Sequence, residues 1–397
     1  MADADGEAGK QLDVIDPRVY PRFSETEIHR RWRAVQMLLT QHDLAAAIVF
    51  GTGRFNREIH YLTDWPGGTE GYLFVPAAGN PVLLVQLYNH VPMARRLSRI
   101  ADTRWGGPRS FETVADLSRQ HGVTSSRIGL IGPIPYQHYE HWQSALPGAD
   151  WVDLTGAFRD LMTVKSPEEL QRIRRACELT DKSMEALEQS LRPGVREIDL
   201  PALIEPVYLN AGGYAGIHFF AAVSMDDPDV CVPAQYPSER VIHKGDAVIT
   251  EISGAFWGYS GQIHRTYFIG SPPRDDWRAL HDVALEAFLA IEGVLKDGAT
   301  VADVLAAAER IHQQGYQIYD DLLHGLNQLP PIVRTRPTMN RAPEDYRFRQ
   351  NMVVVIQPNV ITADQKKGLQ FGETVRITRT GTERLHRYPR TPILCAA

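Results

Sequence analysis

The sequence predicts two units of different architecture: an α/β domain over residues 21–163 and an α+β domain, built around a curved sheet, over residues 164–397. The first prediction rests on short apolar runs alternating with helical stretches: AAAIVF (45–50), GYLFVP (71–76), PVLLVQL (81–87) and RIGLIG (127–132). The second rests on longer strand-like runs interrupted by helix pairs, without regular strand–helix alternation. Residues 1–20 lack periodicity and read as a loose tail.

The first helix is expected from Ser24, where Ser24 and Glu27 form an S-x-x-E start ahead of Ile28, Trp32, Val35, Leu38 and Leu39. The second unit opens near Val164. Ser166-Pro167-Glu168-Glu169 supplies an N-cap, a proline at the first helical position and acids in the first turn, and the pattern runs through Leu170, Ile173, Ala176 and Leu179 toward Leu191. Arg192-Pro193-Gly194 stops it. A further helix is expected at 197–211, then strands at HFFAAVSM, DAVITEIS, GQIHRTYFIG, MVVVIQPNVI and GETVRITRTG, with helices at 274–296 and 301–316 between them.

Composition narrows the function. The 397 residues are 43% hydrophobic and 23% charged, enough for two cores. With 42 Lys and Arg against 48 Asp and Glu the net charge is -6, and no basic block is present, so a nucleic-acid partner is not expected. No apolar window approaches about 18 residues, and the start MADADGEAGK is acidic, so neither a membrane span nor export is expected. Cys177, Cys231 and Cys395 are too far apart for a disulfide framework or a zinc knuckle, which suits a reducing cytoplasm.

The segments RFSETEIHRRWRAVQMLLTQHDLAAAIVF, YLTDW, VKSPEELQRIRRACELTD and RPGVREIDL, followed by PSERVIHKGDAVI, GYSGQIHRTYFIG, His324-Gly325, MVVVIQP and GETVRIT, resemble the creatinase and aminopeptidase P group in the order that group uses. The resemblance covers almost all of the chain from about residue 20. It implies a creatinase-type N-terminal α/β domain, a "pita-bread" C-terminal domain and a homodimer.

Metallopeptidases of that fold hold two metal ions through two Asp, one His and two Glu. Carried onto this sequence, those positions are Glu251, Gln262, His324, Gln357 and Gly372. Four carboxylates have become one Glu, two Gln and one Gly. Hard divalent ions need anionic oxygen, so two ions are not expected. Four carboxylates around an empty site would in turn repel by about 4 kcal/mol per pair at 4 Å with an effective dielectric near 20. The substrate histidine of the peptidases falls on Ala234.

Strand alternation groups the remaining polar residues. If Gln262 points inward, so does His264. The pocket is then expected to hold Glu251, Gln262, His264, His324 and Gln357, with Tyr236, Gln235 and His218 on the substrate wall. Two imidazoles and a carboxylate suit general acid–base work: His324 or His264 would shuttle a proton, Glu251 would orient it or activate water, and the glutamines would hold the substrate. Creatinase cleaves a C–N bond without metal, using a histidine. The leading expectation is therefore a metal-independent, creatinase-like hydrolase or lyase acting on a small polar nitrogen-containing substrate, with no metal or cofactor. The alternatives are a pseudoenzyme that binds a ligand or protein, and an Xaa-Pro-type metallopeptidase with an atypical metal site using Glu251, His324 and a further ligand.

Overall fold

A computed structural model describes residues 20–335 and 342–397, so the expected tail lies almost wholly outside the described residues. The chain divides into two compact units, one ending at Leu161 and the other beginning at Met162.

In the first unit, helix α1 (Glu25–Gln41) starts at Ser24, whose hydroxyl accepts from the Glu27 amide at 3.1 Å. The Glu27 carboxylate turns instead to Arg30 and Arg31. There follow β1 (Ala46–Gly51), α2 (Arg57–Thr63), β2 (Gly71–Pro76), β3 (Val82–Val85), α3 (Val91–Leu97), β4 (Asp102–Trp105), α4 (Ser110–Gln120), β5 (Arg127–Ile131), α5 (Tyr136–Ala145), β6 (Asp150–Asp153) and α6 (Thr155–Thr163). The sheet order is β4-β3-β2-β1-β5-β6, with β1 antiparallel to β2 and parallel to β5. All of β1 and β2 is buried. That is why both read as unbroken apolar runs rather than as alternation.

The second unit opens with α7 (Pro167–Ser190), whose capping box is complete: Ser166 Oγ accepts from the Glu169 amide and the Glu169 carboxylate accepts from the Ser166 amide. Next come α8 (Leu200–Leu209), then β7 (Tyr214–Ser224), β8 (Asp246–Phe256) and β9 (Tyr259–Ile269), then α9 (Asp275–Val294) and α10 (Val301–Gln313). The remainder is β10 (Gln317–Ile318), β11 (Leu323–Gly325), β12 (Leu329–Val333), β13 (Val353–Ile356), β14 (Val360–Ile361), β15 (Gly372–Ile377), β16 (Thr382–Arg384) and β17 (Ile393–Cys395). The main sheet runs β12-β11-β13-β15-β9-β8-β7, with β16 on β15 and β17 on β9.

One face of this sheet is covered by helices. Met184, Leu187, Leu200 and Ile204 of α7 and α8 pack with Phe220, Val248, Ile252 and Ile263. Phe288 and Ile291 of α9, with Val304 of α10, pack with Val354, Ile356 and Val375. A Cβ at Gly261 would come within 2.5 Å of the Cys177 backbone, so glycine is what lets α7 lie this close on β9. Because side chains alternate, the neighbours of these core residues project to the opposite, inner face of the curled sheet.

Candidate active site

Two rows of side chains cross the inner face. Strand pairing aligns Phe219, Glu251, His264 and Gly372, with Gln357 directly beside Gly372. Two residues along, Ile217, Ser253, Gln262, Thr374, Val355 and His324 form the second row; Gln262 N donates to Thr374 Oγ1 at 3.0 Å. Five of the residues singled out from the sequence are thus brought together: Glu251, Gln262, His264, His324 and Gln357.

Gln262 is the hub. Its Nε2 donates to Glu251 Oε1 at 2.8 Å and to His264 Nε2 at 3.1 Å, which uses both amide hydrogens. His264 Nδ1 donates to Gln370 Oε1 at 3.0 Å. His264 is therefore a neutral ring with both nitrogens engaged, and burial depresses its pKa to about 4. It positions Gln262 rather than moving protons.

His324 differs. Its Nδ1 donates to the Gly325 carbonyl at 2.9 Å, which fixes the tautomer and leaves the Nε2 lone pair unengaged. Burial lowers its pKa, opposed by the Gly325 carbonyl and the Asp321 and Glu251 charges. Glu251 is pushed up to about 7 by burial and by Asp320, against the pull of His324 and Gln262. Gln357 is 5% exposed and its Oε1 has no hydrogen-bond partner; Ser253 Oγ has none either.

Four polar residues of this region lie outside the sequence reading. Asp320 and Asp321 precede β11; Asn359 Nδ2 donates to Asp320 Oδ2 at 2.9 Å, and Arg334 pairs with Asp321 at 2.5 Å. Asn359 also accepts from the Phe371 amide at 3.1 Å, and Gln370 holds His264. Asn359 is two residues past Gln357, and Gln370 two before Gly372, so inward parity is the signal that finds them.

Two expected wall residues are elsewhere. His218 pairs with Ile252, which places it on the helix-covered face, against Tyr208 and 3.6 Å from Glu205. Tyr236 is 88% exposed on the loop beyond Ala234. Arg265 is structural: buried on the outer face, it donates to Glu373 at 2.7 Å.

Residues 171–379 match the family described as Metallopeptidase family M24, and residues 31–162 match the Creatinase/Prolidase N-terminal domain. The chain belongs to metallopeptidase family M24. Among its relatives is an Xaa-Pro dipeptidase of Pyrococcus furiosus, 24% identical over 82% of this chain and 90% of that protein. An uncharacterized hydrolase/peptidase of Sinorhizobium fredii is 26% identical over 95% of this chain and 98% of its own length. The prolidase structure of Pyrococcus horikoshii superposes with a TM-score of 0.76 at 21% identity, covering 92% of this chain and all of that one. The fold is thus the creatinase-type N-terminal domain followed by the pita-bread domain.

These relatives overturn the leading functional expectation. The metal-independent, creatinase-like C–N hydrolase or lyase is replaced by the third reading, an Xaa-Pro-type peptidase, because relatives matched along most of their length are Xaa-Pro dipeptidases of a metallopeptidase family. The physical reason is local. The loop where creatinase carries its catalytic histidine is in place, its Ala234 amide donating to the Phe220 carbonyl at 3.0 Å, but it ends in a methyl group.

The family implies a two-metal centre, and the residues present do not fit it. Gln262 and Gln357 are neutral, Gln262 spends its amide hydrogens on Glu251 and His264, and a Cβ at Gly372 would sit 2.6 Å from the Ile356 carbonyl. Among the described residues, no three His, Cys, Asp or Glu side chains are grouped so as to hold a metal ion. Among the same residues, no helix is long and apolar enough to cross a membrane.

Proposed function

We propose that this chain is an M24 peptidase that hydrolyses short Xaa-Pro-type peptides through a rebuilt site. The observation that carries the reading is the pair His324 and Glu251: an imidazole with a fixed tautomer and an unengaged Nε2, beside a carboxyl that holds a proton near neutral pH. The relatives named Xaa-Pro dipeptidase supply the substrate class.

In this reading His324 Nε2 takes a proton from water as its oxygen adds to the scissile carbonyl carbon. The C–N bond breaks, and Glu251 gives its proton to the departing nitrogen. Transfer of the proton from His324 back to Glu251 closes the cycle, with one water consumed. Gln357 offers its unengaged amide to the substrate, while Gln262 and His264 hold Glu251 in place. A small-molecule substrate, a homodimer and a cytoplasmic location complete the proposal.

The test is a panel of Ala-Pro, Gly-Pro, Leu-Pro and Ala-Ala, followed by amino-acid analysis with EDTA, Mn²⁺ or Mg²⁺ present. Release of free proline is expected. No release from any peptide under any of these conditions would contradict the proposal.

A further inference from the structure

We infer that the inner face binds one hard divalent cation per chain, held by oxygen atoms of Glu251, Asp320 and the side-chain amide of Gln357, in place of the family's pair of ions. The inference rests on the peptidase reading of the same site, and its starting point is a charge count. Two divalent ions bring four positive charges, and Glu251 and Asp320 supply two negative ones. The Asp321 charge is already met by Arg334 at 2.5 Å, and Glu373 faces the other side of the sheet, where Arg265, Arg384 and Arg390 hold it. A second ion would leave two positive charges uncompensated in a buried pocket, which desolvation makes very unfavourable. A single ion is neutralised.

The oxygens are arranged for such a guest. Asp320 receives one bond, from Asn359 to Oδ2, and Glu251 receives one, from Gln262 to Oε1, so each carboxylate keeps an oxygen without a donor. Independently of the acids, Gln357 is 5% exposed, shares the inner face with His324, and has a buried Oε1 with no partner. Orphaned buried carbonyl oxygens are rare and call for a donor or a cation. Carboxylate and amide oxygens suit Mg²⁺ or Ca²⁺ better than the softer Zn²⁺, and leave the His324 nitrogen for proton transfer.

The experiment is calorimetry and native mass spectrometry of the full chain, stripped with EDTA and titrated with Mg²⁺, Ca²⁺, Mn²⁺ and Zn²⁺. One Mg²⁺ or Ca²⁺ per chain is expected, with affinity falling roughly tenfold or more in both Asp320→Asn and Gln357→Leu while circular dichroism is unchanged. Two ions per chain, no uptake at millimolar concentration, or an affinity indifferent to both substitutions would overturn the inference. Should either variant lose its native spectrum, the wild-type stoichiometry and the other variant decide. Proline release is scored separately: one bound ion without peptide cleavage sinks the peptidase reading alone, and cleavage with two bound ions sinks this inference alone.

Discussion

Gln262 donates to Glu251 at 2.8 Å, and that one bond does not hold the carboxyl ionised: burial and Asp320 raise it from 4.5 to about 7. A carboxyl raised on folding contributes stability while protonated. The contribution is complete below the unfolded value and is lost as pH rises through about 7. In EDTA-treated protein, Glu251→Gln should therefore melt above wild type at pH 8 and level with it at pH 5. An equal difference at both pH values would show that the environment of Glu251 has been misread.

Glu373 shows the opposite sign. Although burial alone would raise it, Arg265 and Arg390 depress it to about 2. Its stabilisation is present above the unfolded value and is lost only as pH falls through about 2. Glu373→Gln leaves Arg265 buried and short of its countercharge, and should cost about 3–5 kcal/mol in urea unfolding at pH 7. A loss below about 1 kcal/mol would mean that the arginines find solvent or other partners.

Gly372 stands where the family's last carboxylate ligand would be, and the backbone has closed around it. A Cβ there would lie 2.6 Å from the Ile356 carbonyl, so Gly372→Ala should destabilise by about 1–3 kcal/mol, and Gly372→Glu should not restore a metal ligand. A Gly372→Ala variant with an unchanged melting temperature would contradict the closeness of β13 and β15.

Helix α7 was legible because its start carries three independent signals in Ser166, Pro167 and Glu169. The long strands β8 and β9 were legible by alternation, which also placed Glu251, Gln262 and His264 on one face. Strand β11 was not: its three residues, Leu323–Gly325, are too few to show a period, so the neighbourhood of His324 had to come from resemblance. Asp320 and Asp321 read as an ordinary acidic turn, and only pairing of β11 with β13 brings them to the site. His218 was assigned to the wall without applying strand parity to β7, and its pairing with Ile252 turns it away. The leading chemistry failed for a different reason. Loss of ligand carboxylates says which ions do not fit, and does not say which substrate replaced the ancestral one.

The most direct measurement is steady-state hydrolysis of an Xaa-Pro dipeptide by wild type, His324→Ala and His264→Gln. The expected result is proline release by wild type, a fall of about 10²-fold or more in kcat for His324→Ala, and a smaller loss for His264→Gln, which keeps an amide beside Gln262. Wild-type protein that releases no proline, or a His324→Ala variant as fast as wild type, would contradict the account.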